Sequence, residues 1–96
     1  MSTYYFNSCK NIAVSVGATT TVALAENANR KYLTLVNDSD EVIYYAFGAA
    51  AVLNSGGRLN AAGGVIEMKI TDNVMYTGAI NAICASGSKV LGIIEG

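Results

Sequence analysis

Apolar and polar residues alternate with a period of two along most of this chain, which is the pattern of β-strands that bury one face. The clearest run covers residues 65–70, where Ile66, Met68 and Ile70 are predicted to point inward and Glu67 and Lys69 outward. No stretch shows the 3.6-residue periodicity of a long amphipathic helix. The pattern therefore predicts an all-β protein.

The strands predicted from this pattern are short and follow one another about every ten residues. Seven are expected, over residues 11–16, 19–24, 30–36, 42–47, 65–70, 79–85 and 90–95, and an eighth if residues 58–60 add a short one. Ile12, Val14 and Val16 are predicted to share one face of the first strand. In the second strand Val22 and Leu24 are predicted to face together. Regularly spaced short strands separated by turn residues indicate a single small antiparallel β-sandwich, jelly-roll-like or immunoglobulin-like, or a small barrel.

Two polar turns suggest how neighbouring strands pair. The cluster of turn formers at residues 37–40 predicts a hairpin between strands 30–36 and 42–47. Ser86, Gly87 and Ser88 predict a second tight connection, which pairs the last two strands.

The strand at residues 42–47 carries large side chains on both faces. Val42 and Tyr44 lie on one face, and Ile43, Tyr45 and Phe47 on the other. Such a strand either lies centrally in a sandwich with its outer face covered, or forms part of an interface. We therefore predict Tyr44, Tyr45 and Phe47 as interface candidates.

A second aromatic group lies close to the N-terminus. We divide the chain into residues 1–11, an N-terminal arm or first strand, and residues 12–96, the sandwich. The arm contains Tyr4, Tyr5 and Phe6, which are predicted either to contact a partner or to pack on their own domain.

Composition suggests that part of the surface is buried against other subunits. Hydrophobic residues make up 52% of the chain and charged residues only 14%, against about 25% charged in typical domains. A domain of this size has much surface to cover, so a homo-oligomer, dimer or trimer, is expected.

The distribution of charge and hydropathy argues against several partners. The net charge is −1 and no cluster of Lys or Arg occurs, so no nucleic acid partner is expected. The longest uncharged stretch, residues 42–57, is too short and too polar to cross a bilayer. The N-terminus lacks the features of a signal peptide, so we expect synthesis in the cytoplasm and no membrane partner.

Residues suited to catalysis or metal binding are scarce. The chain has no His, which removes the commonest general base and metal ligand. Asp38, Asp40 and Glu41 lack the rest of a calcium-binding loop, and residues 86–89 lack the context of a phosphate-binding loop. No metal, cofactor or enzymatic activity is expected. Cys9 and Cys84 are expected to be buried free thiols, with a disulfide between them as the lesser alternative.

Two segments resemble small β-sandwich proteins encoded among the structural genes of tailed bacteriophages. The similar parts are residues 29–39 (NRKYLTLVNDS), residues 76–85 (YTGAINAICA) and the closing Glu95-Gly96. In those proteins an Arg-Lys-Tyr-Leu-like strand precedes a polar hairpin, and a Gly-Ala-Ile-like strand comes before a terminal Glu-Gly. The resemblance covers roughly residues 20–96, and its motifs are structural rather than catalytic.

This resemblance implies a virion component. The resemblance implies either a capsid decoration (cement) protein or an accessory piece of the head, neck or tail fibre. The expected role is the first, a protein made in the host bacterial cytoplasm that binds a major capsid or other virion protein as a symmetric oligomer. The alternative is a carbohydrate- or receptor-binding module of a tail or head fibre.

Overall fold

A computed structural model describes residues 8–96 of the chain. Within them the backbone forms eight strands and a single turn of 3₁₀ helix at Ile70–Asp72. The strands are β1 (Lys10–Val16), β2 (Thr21–Leu24), β3 (Tyr32–Asn37), β4 (Ile43–Phe47), β5 (Gly57–Leu59), β6 (Val65–Lys69), β7 (Ile80–Ile83) and β8 (Lys89–Glu95). No helix in this part of the chain is long and apolar enough to cross a membrane.

The strands form two antiparallel four-stranded sheets that pack face to face. Sheet A has the order β1-β8-β3-β6 and sheet B the order β2-β7-β4-β5. This is the strand order of an eight-stranded jelly roll, in which successive strands mostly alternate between the two sheets. The predicted antiparallel sandwich is confirmed, and the strand order distinguishes the jelly roll from the immunoglobulin-like alternative.

The core lies between the sheets and comes from every second residue of the strands. Leu33 and Leu35 of β3, Ile43 of β4, Ile80 of β7 and Leu91 of β8 are fully buried in one cluster. Since side chains alternate across a strand, one face of each of these strands supplies the core.

The predicted facing of the side chains is confirmed in the regular edge strands. Ile12 and Val14 pack against the core and Val16 is fully buried. Ile66 and Met68 also pack inward, whereas Ile70 lies beyond the strand, in the 3₁₀ turn.

The prediction for β2 is wrong. Val22 is 63% exposed while Leu24 is buried, because the pairing with β7 shifts register between these two residues. A β-bulge inserts one residue into the alternation and so reverses the facing of the side chains that follow it.

Both predicted strand pairs are also wrong. β3 lies in sheet A between β8 and β6, whereas β4 lies in sheet B between β7 and β5. β7 and β8 are likewise in different sheets. Each polar turn carries the chain across the sandwich from one sheet to the other. Within residues 8–96, the consecutive strands that pair with each other are β4 and β5.

The turn after β3 shows how such a crossing is held. The fully buried Asn37 donates hydrogen bonds from its side-chain amide to the carbonyl oxygens of Glu41 and Leu59, at 2.8 and 2.9 Å. Its backbone carbonyl accepts from Gly63. The amide therefore bonds to the turn itself and to β5 of the other sheet.

Candidate interaction surfaces

Two of the aromatic residues predicted as interface candidates lie on the core side of β4. Tyr45 packs against the core, and its partial burial raises the pKa of its phenol. Phe47 lies further along the same face, at the margin of the sandwich, and is 41% exposed. Phe47 is therefore the more accessible of the two.

Phe47 belongs to an aromatic cluster that sequence reasoning missed. Its ring stacks on that of Tyr76 with centroids 4.4 Å apart and planes 7° from parallel, and it lies 5.7 Å from the ring of Tyr45. The hydroxyl of Tyr76 donates to the carbonyl of Ala79 at 3.0 Å. Tyr76 lies in an irregular segment, so no periodicity in the sequence could place it beside a strand 29 positions earlier.

The chain's own segment 48–56 lies over part of the outer face of sheet B, at β4 and β7. Asn81 donates its side-chain amide to the carbonyl of Ala49 at 2.6 Å, and the N–H of Ala51 donates to the hydroxyl of Thr20 at 2.8 Å. Tyr44, the third predicted aromatic, donates from its hydroxyl to Asn54 at 2.8 Å. The strand at residues 42–47 is predicted either to have its outer face covered or to form part of an interface. In the structure the chain's own segment contacts this outer face.

The covering segment nevertheless presents apolar side chains to solvent. Within it Ala51 is buried, but Val52 is 57% exposed and Leu53 38% exposed. Residues 42–57 contain no charge. The surface of segment 48–56 therefore has two adjacent exposed aliphatic side chains and no charge of its own, and the exposed charge of Arg58 lies beside it on β5, opposite Tyr44.

The outer face of sheet A is uncharged across most of its width. One row of cross-strand neighbours runs through Ala13, Gly92, Val36 and Val65, from β1 to β6. Val65 is 56% exposed, and on β8 Val90 and Ile94 are 42% and 38% exposed. The charges on this face, those of Glu67 and Lys69, lie together on β6 and pair at 3.6 Å.

A buried ion pair closes one end of the sandwich. Arg30 is 1% exposed and donates from Nε to Glu95 at 2.8 Å. Its remaining donors bond to the carbonyls of Tyr76, Gly78 and Ala25, at 2.7, 3.2 and 2.8 Å. The guanidinium thus joins the last strand to two loops.

Two opposing effects determine the ionisation state of the Glu95 carboxyl group. Burial by itself raises the pKa of this carboxyl. Hydrogen bonds from Arg30 and Asn27, with the positive charges of Arg30 and Lys10, outweigh burial and hold the pKa below its usual value. Glu95 is therefore ionised near neutral pH, as its pairing with Arg30 requires.

The acidic residues at the other end are bound by their own neighbours. Lys89 lies 2.8 Å from Asp40, and this bond lowers the pKa of the carboxyl. Glu41 accepts hydrogen bonds from the backbone and hydroxyl of Ser86, both at 2.7 Å, which lower its pKa as well. Among residues 8–96 no three His, Cys, Asp or Glu side chains are grouped as metal ligands.

The two cysteines occupy different environments. Cys84 is a fully buried free thiol, as predicted, and donates to the carbonyl of Val16 at 3.3 Å. Cys9 is also free but exposed, which corrects the prediction that it is buried. It lies just before β1 and outside the core, so the alternation of the strand does not apply to it.

The remaining predicted interface residues, Tyr4, Tyr5 and Phe6, lie outside the described residues. Of the predicted arm, Lys10 and Asn11 belong to β1 and pair with Glu95 and Ile94 of β8.

Comparisons with known proteins found no matching family model, no matching curated protein and no matching solved structure.

Proposed function

We propose that this protein is a non-enzymatic structural component of a bacteriophage virion, a capsid decoration protein that stabilises the shell through apolar interfaces between many copies. The sequence resemblance to tailed-phage structural proteins suggests the setting. The observation that carries the mechanism is the exposure of large apolar side chains on the sparsely charged outer faces of both sheets, at Val52, Leu53, Val65, Val90 and Ile94.

Such faces favour lateral contacts with neighbouring subunits. Exposed aliphatic side chains gain free energy when a partner covers them, at about 25 cal/mol per Å² of apolar area. One small interface stabilises a shell little, but many copies bound at once act together. Binding that favours the assembled state then stabilises it by mass action.

The N-terminal segment is proposed as the part that attaches to the shell. Residues 1–7 carry three consecutive aromatic residues and no charge, and aromatic residues often anchor interfaces. Because Lys10 and Asn11 are paired within sheet A, a deletion that tests this role should stop at Asn7 and leave β1 whole.

The experiment mixes purified protein with phage heads that lack it and measures bound copies and the temperature at which the heads release DNA. The full chain should bind saturably and raise that temperature, and the chain lacking residues 1–7 should bind weakly while its unfolding midpoint is unchanged. Heads neither bound nor stabilised would refute the proposal. If the shortened chain binds as well as the full chain, only the role of the N-terminal segment is wrong.

The fibre alternative, a carbohydrate- or receptor-binding module, is favoured by one observation. Phe47 is an exposed aromatic side chain stacked on Tyr76, and sugar rings commonly pack on such faces. Saturable glycan binding that Phe47→Ala abolishes, and Val65→Ala does not, would favour this role over decoration. A glycan screen without saturable binding would argue against it.

A further inference from the structure

Each sheet of the sandwich has two edge strands, and these four edges differ in how well they are protected. The edges are β1 and β6 of sheet A and β2 and β5 of sheet B. An edge strand presents unpaired N–H and C=O groups, to which another strand can form backbone hydrogen bonds. Proteins usually guard against this by keeping edges short, bulged or charged.

Three of the four edges carry such protection. β5 has only three residues, and β2 has four with a break in register after Val22. β6 has five residues, of which Glu67 and Lys69 are charged.

β1 has none of these features. It runs for seven residues and pairs with β8 at every position from Lys10 to Val16 without a bulge. Its single charge, that of Lys10, lies at its first residue and pairs with Glu95 at 3.7 Å. The side of β1 turned away from β8 is paired with no other strand among residues 8–96.

The five central residues of β1, residues 11–15, also read alike in both directions about Ala13, whereas at the ends Lys10 would lie opposite Val16. Ile12 and Val14 flank Ala13 on the core side, and Asn11 and Ser15 follow them on the outer side. If two copies of β1 pair antiparallel about this centre, Ile12 lies opposite Val14 and Asn11 opposite Ser15. Core-side residues of one copy then lie opposite core-side residues of the other, and outer-side residues opposite outer-side residues, as a continuous sheet requires.

We infer that the free edge of β1 binds β1 of a second copy, which joins two A sheets into one eight-stranded antiparallel sheet across a twofold axis. This rests on the homo-oligomeric part of the proposed function and specifies how the copies meet. The row through Ala13, Gly92, Val36 and Val65 then continues from one subunit into the next, so the uncharged face doubles in width. A single strand pair buries little area, so the free dimer is weak and depends on concentration.

Charge substitutions at the centre of the pairing test this arrangement. Ala13 is exposed and faces Gly92, so Ala13→Lys and Ala13→Glu should leave each subunit folded. Across the twofold axis residue 13 lies opposite itself, and like charges placed there should weaken each homodimer about fivefold. An equimolar mixture of the two variants should dimerise at least as tightly as the unaltered protein. Thr71→Lys, which adds the same charge at an exposed residue just beyond β6, on the opposite edge, is the control and should change nothing.

Sedimentation equilibrium over a hundredfold range of concentration measures these affinities. Three results would overturn the inference: a monomer at every concentration, an oligomer as insensitive to Ala13→Lys as to Thr71→Lys, or a mixture no tighter than either variant alone. A protein that decorates heads but gives one of these results retains the proposed function and loses the β1 pairing.

Hydrogen exchange identifies what occupies the edge. Alternate amides of β1 should become protected as the protein concentration rises, because only every second N–H points away from β8. Protection that is already complete at the lowest concentration and disappears when residues 1–7 are removed would place the chain's own N-terminal segment on this edge. That result would refute pairing between copies.

Discussion

The most severe single substitution expected in this protein is the removal of the buried guanidinium of Arg30. This group bonds to Glu95 and to the carbonyls of Tyr76, Gly78 and Ala25. Arg30→Met keeps a side chain of similar length but removes every donor. It leaves a carboxylate that is only 6% exposed without its closest counter-charge.

The expected loss follows from this burial. Removing one member of a buried ion pair costs about 3–5 kcal/mol, because the other charge remains desolvated and unpaired. Lys10 lies 3.7 Å from the same carboxylate but is 58% exposed, so water screens its contribution. Domains of this size have a total free energy of unfolding of about 5–15 kcal/mol. Arg30→Met should therefore remove a large part of this free energy and lower Tm by more than about 12 °C.

Urea denaturation followed by far-ultraviolet circular dichroism measures this loss. Arg58→Met is the matched control, because Arg58 is exposed and, within the described residues, its side chain bonds to that of Asn60. It should cost less than about 1 kcal/mol. The double variant Arg30→Met/Glu95→Met should be less destabilised than the two single variants summed, since no unpaired charge remains.

The pH dependence gives an independent check on the role of Glu95. Its pKa in the folded protein lies below the usual 4.5, so its stabilising contribution is complete above that pH and is lost as the pH falls through the folded value. In Arg30→Met, protonation of Glu95 removes its unpaired buried charge. The difference in the free energy of unfolding between this variant and the unaltered protein should therefore shrink in acid. The reasoning would be refuted if Arg30→Met lost no more free energy of unfolding than Arg58→Met, or if its loss relative to the unaltered protein did not change with pH.

Three further predictions concern single features of the fold, each checked on purified protein. Asn37→Asp removes the donors to two buried carbonyls and adds a buried charge, so urea denaturation should show a loss of about 3 kcal/mol. Gly64→Ala should destabilise strongly, because its Cβ would lie 2.4 Å from backbone atoms of the preceding turn, whereas Gly92→Ala, where the nearest atom is 3.7 Å away, should be close to neutral. A thiol reagent should modify the exposed Cys9 at once and the buried Cys84 only on unfolding; equal rates would contradict this.

The features of the fold that sequence reasoning predicted are the local ones. Alternation in β1 and β6 gave the correct core side, because the facing of a residue in a regular strand depends only on its position. Val22 fails this reasoning because a bulge, which is set by pairing with β7, shifts the alternation.

Strand pairing could not be predicted in the same way. A short polar turn suits a hairpin and a crossing between sheets equally well, so the turns after β3 and β7 do not distinguish them. The partners of β3 are β6 and β8, which lie far along the chain. The burial of Arg30 is also a long-range result, since its bonds reach residues 46, 48 and 65 positions away.

The low charge content of the chain becomes informative once its charges are located. Lys10, Arg30, Lys31, Lys69 and Glu95 lie at the end of the sandwich where β3 begins and β8 finishes. At the opposite end are Asp38, Asp40, Glu41 and Lys89.

With most of the charges at the two ends, the outer faces between them carry few, chiefly those of Arg58 on sheet B and of Glu67 on sheet A. A monomer that only had to stay dissolved would gain from charges on its outer faces, because these suppress contact between exposed apolar surfaces. Few charges on these outer faces therefore agree with the apolar contacts between copies that we propose.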